Sequence, residues 1–74
     1  MNFTVTAVER KTGLRTLAGR TEQYSELAET VHGVRTRVQA DAEFDMYVKL
    51  MALRPADYTS VQVTNRKGDV VRSA

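Results

Sequence analysis

The sequence predicts an α+β fold: one small domain spanning residues 1–74, with a mostly antiparallel sheet of four or five strands and two helices on one face. Three observations predict it. Residues 2–9 alternate polar and apolar and are rich in Thr and Val, the pattern of a half-buried strand. Two other segments, 21–31 and 41–54, repeat their apolar residues at helical spacing instead. Two basic stretches closed by glycine, RKTG at 10–13 and NRKG at 65–68, read as hairpin turns. The order that follows is ββαβαββ.

In the first strand Phe3, Val5 and Ala7 share one face, with Thr4, Thr6 and Val8 on the other. Gly13 supplies the positive φ of the turn, and residues 14–18 return as a short strand ending at Gly19. Thr21 then suits an N-cap. Tyr24, Leu27, Ala28 and Val31 form a single stripe behind it, while Glu22, Glu26 and Glu29 face water. Gly33 stands where a C′ glycine would end this helix. His32, the single histidine, reads as a basic group near the negative end of the helix.

Residues 34–40 alternate strictly, with Val34, Thr36, Val38 and Ala40 on one side and Arg35, Arg37 and Gln39 on the other. They read as a strand. The alternative is a helix continued through Val31, Val34 and Val38. Gly33 and the N-cap quality of Asp41 favour the strand.

The longest apolar-periodic segment is residues 41–54. Phe44, Tyr47, Val48 and Met51 fall on one stripe, and Met46, Leu50 and Leu53 on a second beside it. Together they cover roughly 220° of the circumference, against about 100° or somewhat more for a helix lying on one sheet. Phe44, Val48 and Met51 are therefore expected in the core. Pro55 ends the helix by biasing Arg54 away from helical dihedrals. Residues 58–64 form a strand with Val61 and Val63 inward and Tyr58, Ser60 and Gln62 outward. Residues 69–72 return after the second turn, and the tail at 73–74 is expected to fray.

Composition removes several chemistries. The chain has no cysteine, so disulfides, thiolate metal sites and cysteine nucleophiles are excluded. The N-terminal stretch lacks the apolar run of a signal peptide, and no segment approaches a membrane span, so a cytoplasmic location is expected. The four glycines are isolated, and no phosphate-binding loop is present. Asp41 and Asp45 share a helix face without a cleft between them, and one histidine beside a glycine is thin support for a nucleophile. An enzyme, a cofactor and a small-molecule substrate are not expected.

Two functional readings remain. The leading one is a non-enzymatic protein-binding module in which Met46, Leu50 and Leu53 meet a partner protein or a second copy of the chain as a homodimer. Short, cysteine-free, motif-poor domains of this type include the inhibitors and adaptors that bacteriophages and mobile elements encode, anti-CRISPR proteins among them. The alternative is a nucleic-acid-binding domain, with Arg15, Arg35, Arg37, Tyr58 and Arg72 on a basic open sheet face. A net charge of +2 and a pI near 9.3 are compatible with it, though such sheets usually carry two or three aromatics and this face has one. Salt separates the two readings, because phosphate contacts weaken steeply with ionic strength.

Overall fold

The computed structural model describes residues 2–74. The elements are β1 (Phe3–Leu17), β2 (Arg20–Val34), α1 (Arg37–Leu53), β3 (Tyr58–Asn65) and β4 (Val70–Ser73). The four strands form one antiparallel sheet in the order β2-β1-β3-β4, and α1 packs on one face of it. The fold is α+β as expected, but with one helix and four strands rather than two helices and five.

The first half of the chain departs most from expectation. Residues 10–13 do not turn: they lie inside a 15-residue strand, and residues 14–17 continue that strand rather than returning. The turn is the two-residue loop Ala18-Gly19, flanked by the Leu17–Arg20 pair. Both loop residues have positive φ, 53° and 75°, the signature of a type I′ hairpin whose twist matches its strands. From this loop the chain pairs with itself residue for residue back to Phe3–Val34. The helix expected over 21–31 is therefore most of β2, and Gly33 is a strand residue rather than a cap. An isolated helix of about ten residues is marginal in water. Continuous pairing with a strand already in place wins over the local spacing.

The strand expected over 34–40 is also absent. β2 ends at Val34, the chain bends at Arg35-Thr36, and α1 begins at Arg37. Thr36 is the N-cap: its hydroxyl accepts from the Gln39 N–H at 3.2 Å, while the Gln39 amide oxygen accepts from the Arg35 N–H at 3.4 Å. The Thr-x-x-Gln spacing is that of a capping box, with the glutamine reaching the N–H one residue before the cap, and it starts the helix five residues earlier than the Asp41 cap expected. Starting there, α1 turns Ala40, Phe44, Tyr47 and Met51 toward the sheet. Val48, expected in the core, is 37% exposed. Val38, expected on a strand's inner face, is 79% exposed. The helix ends at Leu53, before Pro55, as expected.

The core consists of Val5, Ala7, Val34, Val61 and Val63 from the sheet with Ala40 and Phe44 from α1. The inward residues of β1 and β3 are those the alternation assigns. Each fully buried valine or phenylalanine contributes on the order of 1.5–3 kcal/mol. Tyr58, expected outward, is turned inward by a bulge: Val8 pairs with Ser60 and Glu9 with Tyr58, leaving Thr59 as the extra residue. The second hairpin forms as expected, with Asn65 Oδ1 accepting from the N–H groups of Lys67 and Asp69 and Gly68 at φ 89°. The tail is paired rather than frayed, because Ala74 and Val61 exchange both backbone hydrogen bonds.

Candidate protein interface

Two surfaces of the fold stand uncovered. The first is the outer side of α1. Val38, Ala42, Met46, Lys49 and Leu53 recur every three or four residues and face away from the sheet. Val38 is 79%, Met46 48% and Leu53 78% exposed. Leu50 sits at the border, half-buried. A second helix was the element that could have covered this stripe within one chain, and β2 stands in its place. Val38 is the stripe residue that sequence reasoning missed; reading Thr36-x-x-Gln39 as a cap would have supplied it.

The second surface belongs to the β1–β2 hairpin. β3 pairs with β1 only from Phe3 to Glu9. Beyond that point residues 10–17 and 20–27 form a two-stranded arm without a third strand. Within it Tyr24 lies over Gly13 and the Arg15 guanidinium sits 4.7 Å from the Tyr24 ring centre. The face away from α1 carries Leu14 and Leu27, continued by Val31 in the body, and all three are exposed. The opposite face of the arm places Lys11 opposite Glu26 and Arg15 opposite Glu22.

The size of the uncovered surface can be set against expectation. A compact monomer of 8.3 kDa exposes about 4,600 Å², whereas this chain exposes 5441 Å². The difference is close to the ~800 Å² that each partner contributes to a standard protein–protein interface. The Cα radius of gyration is 15.3 Å against about 11 Å for a compact chain of this length, and the long axis reaches 50 Å.

The residues proposed for nucleic acid do not share a surface. Arg72 points to the helix side of β4, donates to Asp41 at 3.0 Å and Asp45 at 3.3 Å, and lies 4.1 Å from the Phe44 ring centre. Arg37 is the first residue of α1, paired with Asp41 at 3.2 Å. Tyr58 packs against Tyr47 with ring centres 6.3 Å apart. Arg15 is out on the arm, and Arg35 lies in the bend before α1. The open sheet face therefore presents none of Tyr58, Arg72 and Arg37.

Electrostatics near α1 are structural in form. The Arg72 guanidinium, and after it Arg37, hold the Asp41 carboxyl below its ordinary range. Burial, and then the Glu43 carboxylate, raise the Tyr47 phenol. His32 Nδ1 lies 2.6 Å from Glu43 Oε1, so the histidine expected at a helix end instead ties β2 to α1. Among the described residues no group of three or more His, Cys, Asp or Glu is placed to hold a metal ion, and no helix is long and apolar enough to cross a membrane.

No protein-family model, curated protein or solved structure gives a significant match to this chain.

Proposed function

We propose that this chain is a small non-enzymatic protein-binding module that lays the outer side of α1 into an apolar groove of a partner protein. The observation that supports it is the stripe Val38, Met46 and Leu53, exposed on α1 with no described element of the chain over it. An amphipathic helix used this way anchors through side chains one turn apart. Met46 adapts to an irregular wall, Lys49 lies within the stripe and Asp45 at its edge, one charge of each sign. The half-buried Leu50 borders the stripe. An inhibitor or adaptor, of the kind phages and mobile elements encode against host machinery, is the role such a surface serves.

The test uses two substitutions at exposed positions. Leu53→Glu and Met46→Glu leave the melting curve within about 0.5 kcal/mol of wild type, as surface changes do. Both weaken capture of the protein that wild type retains by about tenfold or more. Capture persists after nuclease treatment and at raised salt, where phosphate contacts would fail. Unchanged capture by both variants, or capture that disappears with nuclease, overturns the proposal.

A further inference from the structure

We infer that the free edge of β2 pairs with the β2 of a second copy of this chain, joining two sheets into one of eight strands. β2 is the outermost strand of the sheet and runs the full 15 residues from Arg20 to Val34. Natural proteins blunt such edges with short strands, prolines, bulges or lysines. The opposite edge, β4, has two of these devices: it is four residues long and its ladder shifts register at Val63/Thr64. β2 has none of these, and what blunts it is the charge of Arg20, Glu22, Glu26 and Glu29. It contains neither proline nor lysine, and its ladder with β1 is unbroken.

The occupant follows from the sequence of the edge itself. A two-fold axis perpendicular to the sheet pairs β2 antiparallel with its copy and keeps the helix-side faces together. The midpoint of Arg20–Val34 is Leu27, so a register centred there engages every residue of the strand. In that register Leu27 meets the partner's Leu27, Glu22 meets the partner's His32, Gln23 meets the partner's Val31, and Tyr24 meets the partner's Thr30. No glutamate faces a glutamate. Moving the centre one residue, to Glu26, sets that carboxylate against its own copy, a destabilising like-charge pair. Centres at Ser25 or Ala28 avoid such pairs but leave part of the strand unmatched. The full-length register is thus also one the charges permit.

The arm supplies a second reason. Two strands alone are marginal in water, and residues 10–17 and 20–27 have no third strand among the described residues of their own chain. In the two-fold register, residues 20–26 of each chain lie along residues 28–34 of its copy. Each arm gains a neighbouring strand from the partner's body. This interface is separate from the outer side of α1, which stays open in the dimer.

Light scattering on the full chain across concentration tests it, with two variants. Wild type approaches twice the 8.3 kDa chain mass as concentration rises. Leu27→Glu places two carboxylates on the axis and shifts the midpoint to at least tenfold higher concentration. Leu27 is 62% exposed in the single chain, so far-UV circular dichroism of this variant stays that of a folded protein. Because the chain has no cysteine, Leu27→Cys is a clean cross-linking probe. Residues directly opposite in an antiparallel pair have Cα atoms about 4.5–5.5 Å apart, within reach of a disulfide. Mild oxidation converts Leu27→Cys to covalent dimer, while Leu53→Cys stays single. A wild type that keeps the single-chain mass at every concentration overturns the inference. So does a dimer unaffected by Leu27→Glu, or one that Leu53→Glu abolishes. Partner capture distinguishes the two proposals, since it is lost in Leu53→Glu and kept in Leu27→Glu.

Discussion

Gly13 lies mid-strand where a Cβ would come within 2.8 Å of the Tyr24 ring. The glycine is there because the ring of its cross-strand neighbour covers the backbone, and Arg15 closes over the ring from the next inward position. A glycine closing a basic stretch reads as a turn, which sets the expected turn at 10–13, seven residues before the observed one at 17–20. The residue that does turn, Ala18, carries no such signal. With φ at 53° it sits in the left-handed region, which costs an alanine roughly 1–2 kcal/mol. Asparagine tolerates that region, and Asn-Gly is the preferred pair for a type I′ loop. Ala18→Asn is therefore expected to raise stability by about 0.5–1 kcal/mol, read as an upward shift of the thermal midpoint. An unchanged or lower midpoint would show that the loop relaxes its strain some other way.

Among the elements, β4 is the shortest, and Arg72 fastens it to α1. Arg72 donates to Asp41 and Asp45 and lies over the Phe44 ring. Because Arg72 and Arg37 depress the folded-state pKa of Asp41, its contribution is fully present above the ordinary carboxylate pKa near 3.8 and fades as pH falls through the lower folded value. Stability should therefore decline on acidification below about pH 4, and Asp41→Asn should flatten that limb while lowering the plateau at neutral pH. Urea titrations at several pH values measure it; equal slopes in both proteins would remove Asp41 from the account.

The elements also differ in how plainly the sequence announced them. The strands expected over 2–9 and 58–64 were legible because β-branched residues alternate through their buried positions, although the bulge that turns Tyr58 inward was not. The 65–68 turn was legible because Asn65 and Gly68 are the residues its geometry requires. The segment 21–31 was not, since Tyr24, Leu27, Ala28 and Val31 satisfy helical spacing while a partner strand 15 residues long holds them extended. In the sheet those four divide between two faces, so no single apolar face remained for the period to reveal. The outer stripe of α1 was half legible: Met46 and Leu53 are exposed as a surplus face requires, but Val38 was hidden by alternation that ends at a capped helix.

At the scale of the whole molecule, the core gathers at one end and the arm extends from it. Few buried apolar contacts and solvent on both faces place the arm at the low end of local stability. In the Leu27→Glu variant, amides of residues 10–17 and 20–27 should exchange with deuterium far faster than those of Val5, Ala7, Val61 and Val63. Mass spectrometry on peptic fragments resolves the two regions. Uniform protection across both would mean that the arm folds as one unit with the body.

The position of β1 in the sheet also sets an order of events during synthesis. Its first neighbour, β2, is finished once residue 34 has been made, and the hairpin needs no later residue to close. Its second neighbour arrives only with β3, where Thr4 pairs with Thr64 across 60 residues. Closing so long a loop is slow relative to closing a two-residue turn. A nascent chain therefore passes through an interval in which β1 and β2 are paired while both outer edges of the ribbon are bare. Val5 and Ala7 face solvent until α1 packs over them, and β3 then completes the core beside them. The pace of translation between residues 35 and 65 sets how long this hairpin must survive among its neighbours before it becomes the middle of a sheet.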